Sequence, residues 1–461
     1  MDDRIPAEDI AVGAYGKPAL GKSLESRHIS MIAIGGIIGA GLFVGSSTTI
    51  SQVGPAAVVS YGIAGLIIML VMRMISEMAT ALTGVQAFPD FARAGIGHWA
   101  GHLSGWLYWY FWVVVVAIEA LAGAKILSHW LPALPTWQIG VGLMALLTGV
   151  NLLSTRSYGE FEFWFSLLKV LAIVGFIVVA GSWAFGITSP AGATFANLTA
   201  HGGFAPAGWG GVLAAVASTI FALCGAEIST IAAAESAEPA KAVARLSLSV
   251  TVRIVVFYLL SLLMIVAVVP WQQIEPGYSP FAATLAAMHV PGGETIMNLV
   301  VLVAVLSCLN SGLYVTSRTL FHLASHGDAP QWLVAVNRRQ VPARAILVAS
   351  LFSYGALAAE RIAPDTVFSF LLNSSGVTML LLYLMVAAAQ LRLRARFAAE
   401  GRQLQLKMWF HPFGTLFAVA GMLAVIGFMA LTPALASQFW MSLLVAAGFL
   451  GLFLATKKAR S

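Results

Sequence analysis

The chain has 461 residues, 59% of them hydrophobic and only 10% charged. Water-soluble proteins carry about 25% charged residues, so this composition excludes a chain whose apolar surface is hidden in one soluble core; lipid must be the solvent for much of it. The formal net charge of +6 does not point to nucleic acid, because the basic residues fall between apolar runs rather than in one patch.

Residues 1–28 are polar and of mixed charge, with Asp2, Asp3, Arg4, Glu8, Asp9 and Lys22. They read as a cytoplasmic tail rather than a cleavable leader, because the apolar run that follows has full spanning length. A helix needs about 20 apolar residues to cross a bilayer. Twelve such runs are predicted near 29–52, 55–78, 103–128, 137–154, 160–185, 209–232, 248–269, 296–324, 344–360, 365–390, 412–431 and 437–456. They are continuous rather than alternating, which argues for helices and against a β-barrel. The expected fold class is therefore all-α and integral to the membrane. With the N-terminus inside, the cytoplasmic segments collect Lys22, Arg27, Arg93, Arg156, Lys241, Arg245, Arg338, Arg339, the cluster from Arg392 to Lys407, and Lys457, Lys458 and Arg460. Arg361 is the clear exception on the other side. That alternation places both termini in the cytoplasm. The predicted organisation is a first half over 29–185, a second over 209–390, two further helices over 412–456 and a tail over 457–461.

No loop is long enough for a soluble domain, and no G-x-x-x-x-G-K-[ST] phosphate loop is present. Transport would thus draw on an ion gradient or on exchange, with no cofactor. Cys224 and Cys308 both lie within apolar runs and form neither a disulfide framework nor a metal motif.

The first span carries Gly35, Gly36, Gly39 and Gly41 at mid-membrane. One reading is a tight helix–helix contact made by small residues. The other is a broken helix whose second half starts near Ala40 and Gly41 and aims free N–H groups at an anion. The sixth span favours the second reading. It is interrupted at Phe221-Ala222-Leu223-Cys224-Gly225 and carries Glu227 two residues on. Spans 1 and 6 open two halves that run in opposite directions, and interrupted helices at matching positions of such halves point to a transporter site. Carbonyls of Ile37, Phe221 and Cys224 could accept from a substrate ammonium while Gly39, Ala40 and Gly41 offer N–H donors. Such a pair of faces suits a zwitterion.

A charge at mid-bilayer costs at least about 2.5–3.5 kcal/mol, so each one needs a reason. Lys169 lies mid-way along span 5 among apolar neighbours. It is either a proton carrier or a static ion-pair partner of Glu119 or Glu227. Those two carboxylates are proton-relay or ammonium-binding candidates, with a structural hydrogen-bonding role as the alternative. Arg73 and Glu77, one turn apart on span 2, read as a structural pair or gate. Lys125 reads as a snorkelling side chain. The string from Trp106 to Trp112 fits the interfacial preference of aromatic residues and receives no chemistry. His28, His98, His102 and His411 sit at span edges, which argues against a metal site.

Several segments together resemble the amino acid–polyamine–organocation (APC) superfamily, in its bacterial amino-acid permease branch. They are Arg27-His28-Ile29-Ser30-Met31, Gly39 to Ser47, Met72-Arg73-Met74, Gly105 to Trp109, Tyr158 to Trp164, Gly225-Ala226-Glu227 with Thr230 to Ser236, and Ser307 to Ser311. The resemblance runs from about residue 22 to 430. It implies a LeuT-type fold: two inverted five-helix repeats plus two extra helices, with helices 1 and 6 broken. It implies substrate binding at Ile37, Gly39, Ala40, Gly41, Phe221, Ala222, Cys224 and Gly225. It also implies that Lys169 stands where a sodium ion would act, with Glu119 and Glu227 sharing in proton coupling. The expected partners are a small zwitterionic amino acid, protons and lipid, with 4-aminobutyrate (GABA) the substrate that the resemblance implies. One departure concerns the helix 6 motif, often F-[AS]-F-x-G-x-E, where Leu223 replaces the second Phe and is expected to reshape the side-chain pocket. An exchanger, a permease for proline, alanine or aromatic residues, and a non-transporting receptor are the competing readings. A membrane enzyme would need a metal cluster or a nucleophile–base pair that the sequence does not show.

Overall fold

The computed structural model describes residues 38–82, 89–153, 156–225, 227, 253–337 and 341–458. Every regular element among them is helical. This is what lipid requires, since each backbone N–H and C=O must find its partner within the segment. In chain order the helices are α1 (Ala40–Phe43), α2 (Gly45–Val53), α3 (Ala57–Ala81), α4 (Pro89–Gly95), α5 (His98–Ser128), α6 (Thr136–Leu153), α7 (Arg156–Ala184), α8 (Asn197–Ala200) and α9 (Gly208–Leu223). A π-helical stretch over Arg253–Leu260 leads into α10 (Ser261–Val268). There follow α11 (Pro280–Ala287), α12 (Gly293–Ser325), α13 (Ala343–Glu360), α14 (Pro364–Ala399), α15 (Phe413–Leu431) and α16 (Pro433–Lys458).

Eight helical stretches among the described residues are long and apolar enough to cross a membrane, and shorter apolar helices lie at Thr136–Leu152, Gly208–Leu223 and Val256–Val268. The first of the eight, Ala40–Ala81, runs 42 residues and takes in the span predicted at 55–78 together with residues 40–52 of the one predicted at 29–52. A turn at Gly54 separates them. Its φ of +65° suits glycine, and a Cβ there would meet Pro206 Cγ at 2.7 Å.

Burial sorts centre from rim. In the most apolar 18-residue window of α5, 83% of residues are buried, against 11% for the window within Leu435–Thr456. α5 is thus the central post, packed against α4, α6, α12, α13, α14 and α16. α15 and α16 turn Phe413, Phe417, Leu431, Trp440 and Leu444 outward. In lipid such exposure costs nothing, which is why these helices read as apolar nearly all round. α9 and α14 approach most closely at Gly376, where a Cβ would stand 1.8 Å from the Ala217 carbonyl oxygen.

The expected Arg73–Glu77 pair is not formed. Glu77 is 1% exposed and turns inward, where Arg394 of α14 pairs with it, Gln390 Nε2 donates at 2.8 Å and the Met408 backbone N–H at 2.6 Å. Arg73 reaches the residue next to Met408. Its Nε donates to the Lys407 carbonyl at 2.8 Å and its guanidinium lies 5.2 Å from the Trp409 ring centroid. Spacing of four puts two side chains on one helix face, but burial chooses the partner. Lys125 lies over the rings of Tyr278 and Phe368, at 5.8 and 5.9 Å.

Candidate functional site

The site begins where α1 begins. Gly39 caps that helix in an extended conformation (φ −136°, ψ −146°), so the first N–H groups of α1 have no intrahelical acceptor. Glu119 of α5 meets one of them: its Oε1 and Oε2 lie 3.0 and 2.9 Å from the Ala40 nitrogen. A carboxylate at a helix N-terminus is favourable because the peptide dipoles point their positive ends toward it. The N–H groups of Gly41 and Leu42 have no acceptor among the described residues.

Two glycines make this approach possible. A Cβ on Gly39 would sit 2.5 Å from Glu119 Oε1 and 2.6 Å from Cys308 Cβ. One on Gly41 would sit 2.7 Å from the Ala222 Cα, which is backbone and cannot swing aside.

Facing α1 is the end of α9. That helix stops at Leu223; Cys224 is extended (φ −68°, ψ 163°) and Gly225 has φ +102°, a conformation open to glycine at little cost. Glu227 turns back on the loosened segment, accepting from the Gly225 N–H at 2.8 Å and from the Tyr108 hydroxyl at 3.5 Å. The Tyr258 hydroxyl donates to the Ala222 carbonyl at 2.6 Å, and Cys224 Sγ lies 3.5 Å from the Tyr383 hydroxyl. Residues 29–37, Ile37 among them, and 228–232, the remainder of these two predicted spans, lie outside the described residues, as do Ala226, 233–252 and the 1–28 tail.

Between the two helix ends is a small cavity lined by Gly41, Phe111, Trp112, Val115, Glu119, Phe221, Ala222, Cys224 and Cys308. Its free space of ≈ 10 Å³ is about enough for one water molecule. Lys169 lies behind this wall. It is fully buried in α7 and its Nζ donates to Ser307 Oγ of α12 at 2.9 Å, one residue before the cavity-lining Cys308. Its charge also acts on the Glu119 carboxylate.

Five of the expected site residues, Gly41, Glu119, Phe221, Ala222 and Cys224, line this cavity; Gly39 and Ala40 adjoin Glu119, and Gly225 and Glu227 follow Cys224 at the end of α9. Lys169 stands one side chain away. Leu223 is buried but is not among the lining residues, so the departure at that position acts on packing behind the cavity rather than on its wall.

Sequence reasoning missed Phe111, Trp112, Val115 and Cys308. The interfacial preference of aromatic residues misled it over 106–112. A signal was present: Phe111, Val115 and Glu119 are spaced four apart, so they share one face of α5. A site on Glu119 therefore reaches back to Phe111.

Solved structures with the same architecture include the manganese transporter of Eremococcus coleocola. Two single-residue mutants of that transporter match with TM-scores of 0.60 and 0.59 at 15% identity, covering 97% of both chains. Eight helical stretches long and apolar enough to cross a membrane define a multi-pass membrane protein. A family model described as "Amino acid permease" matches residues 28–459, and the chain belongs to that family. It is 45% identical to the gamma-aminobutyric acid permease of Bacillus subtilis over 89% of this chain and 88% of that one. It is 43% identical to the Escherichia coli gamma-aminobutyric acid permease over 90% of both. An aromatic amino acid transport protein of Salmonella typhimurium matches at 34% over 92% of both chains.

Proposed function

We propose that this permease is a proton-coupled symporter that imports GABA across the bacterial cytoplasmic membrane, with both termini in the cytoplasm. The twelve-span reading, with two inverted five-helix repeats and breaks in spans 1 and 6, goes with it. Eight long apolar helical stretches and three shorter apolar helices among the described residues support that reading. The substrate reading draws on relatives named for GABA at 43–45% identity over about nine-tenths of the chain. The observation that carries the mechanism is the contact of Glu119 with the first N–H of α1, beside two N–H groups without acceptors among the described residues.

In this mechanism the substrate carboxylate binds the start of α1 at Gly41 and Leu42. The ammonium of GABA lies three methylenes away, where the Glu119 carboxylate and the carbonyls at the end of α9 can accept from it. Lys169 carries the coupling proton. Protonated, it holds α12 through Ser307 and acts on Glu119; deprotonated, it releases both. The driving force is the proton gradient, and no cofactor is needed.

The test is uptake by purified protein in liposomes under an inward proton gradient. Labelled GABA, alanine, proline and phenylalanine are offered in turn. GABA is expected to accumulate, and unlabelled GABA to compete best. Preferred accumulation of another amino acid overturns the substrate. Uptake that requires preloaded internal substrate overturns symport in favour of exchange.

A further inference from the structure

Away from the transport site, the C-terminal end of α12 carries a cluster that transport does not use. His322 and His326 are one turn apart, with ring centroids 4.3 Å from each other. Asp90 of α4 places Oδ1 3.0 Å from His322 Nε2. One possible ligand atom from each of the three lies within 4.8 Å of the other two.

The orientation of His326 adds a second observation. Its Nδ1 lies 3.1 Å from the His322 carbonyl oxygen, a contact that an N–H at Nδ1 satisfies. Nε2 is then the nitrogen with the lone pair. Metal-binding imidazoles hold their other N–H on a carbonyl or carboxylate in this way, which fixes both tautomer and ring direction. His326 is exposed while Asp90 and His322 are half-buried, so a cation can arrive from water and keep water as its remaining ligand. The nearest positive charge on α4, Arg93, is already ion-paired with Asp328.

We propose that Asp90, His322 and His326 form a binding site for a borderline divalent transition metal such as Zn²⁺. Two imidazoles and one carboxylate with an open fourth position suit that ion, whereas Mg²⁺ and Ca²⁺ prefer oxygen throughout. The site joins α4 to α12, two elements far apart in sequence, so bound metal ties one to the other.

The experiment titrates tag-free, metal-stripped full-length protein in detergent with ZnCl₂, by calorimetry and by metal analysis after desalting. One Zn²⁺ per chain is expected. His326→Ala and Asp90→Asn should each weaken binding by at least about 100-fold, since loss of mere supporting groups around a metal already costs 10–100-fold. His98→Ala, in the neighbouring Asp328 cluster, should bind as the parent does. His326 is exposed, so its replacement leaves the packing intact, and a monodisperse elution profile verifies that. Failure of the parent to bind Zn²⁺ with a Kd below about 0.1 mM overturns the proposal. So does Zn²⁺ binding that survives His326→Ala, or Mg²⁺ that competes equally.

Discussion

Both carboxylate oxygens of Glu119 lie within 3.0 Å of the Ala40 backbone nitrogen, so the first N–H of α1 is faced by a side chain from the central helix α5. In the proposed mechanism a substrate carboxylate and Glu119 address the same short row of donors. Glu119→Gln keeps the size and an accepting oxygen but removes the charge. A hydrogen bond to a charged group contributes about 1.5–3 kcal/mol, against about 1 for a neutral one. The expected result is loss of uphill GABA uptake with exchange retained. Uphill uptake at the parental rate would free Glu119 of any coupling role.

Gly41→Val should abolish transport. Its Cβ would meet the Ala222 Cα at 2.7 Å, and backbone on backbone leaves no rotamer as an escape. Overpacking of this kind costs about 1–3 kcal/mol, so the protein should still insert and purify. Binding measured on folded protein, with uptake alongside, checks it.

Lys169→Ala should remove proton-driven accumulation while leaving substrate binding within about a few-fold, because the backbone donors of α1 remain. Lys169→Arg should fail equally, since a guanidinium stays charged at any usable pH. A Lys169→Ala protein that still concentrates GABA would pass the coupling role to Glu119 or Glu227.

Glu77→Ala should destabilise the fold by about 3–5 kcal/mol, the usual effect of removing one partner from a buried pair. It leaves Arg394, Gln390 and the Met408 N–H without their shared acceptor. Thermal unfolding in detergent reads this directly. Arg73→Ala should cost much less, since its contacts are to one carbonyl and one exposed ring.

Much of this molecule is legible in its sequence because lipid imposes one simple rule: long apolar runs become helices. The candidate site residues stand out in the sequence for a related reason: glycines and carboxylates at mid-membrane are costly, as at Gly39, Gly41, Gly225, Glu119 and Glu227. Partners were harder to read. Which charge meets Glu77 depends on how α3 and α14 rotate against each other, and spacing along one helix does not contain that. Nor did spacing place Ser307 beside Lys169. The aromatic residues of α5 were misread because one residue type serves both the membrane interface and a cavity wall, and only rotation about the helix axis separates the two. The Asp90–His322–His326 group joins positions more than 230 residues apart, which no local pattern announces.

The missing side chains at Gly41 and Gly376 have a consequence for how the molecule can move. At the first, α1 rests on the backbone of α9; at the second, α14 does. With the nearest neighbours being the Ala222 Cα at Gly41 and the Ala217 carbonyl at Gly376, these three segments approach one another backbone to backbone. The cavity beside them has room for about one water. Its lining includes side chains from several helices, among them Phe111, Trp112 and Val115 of α5, Phe221 of α9 and Cys308 of α12, so its volume can change by side-chain rotation while the close backbone approaches at Gly41 and Gly376 stay as they are.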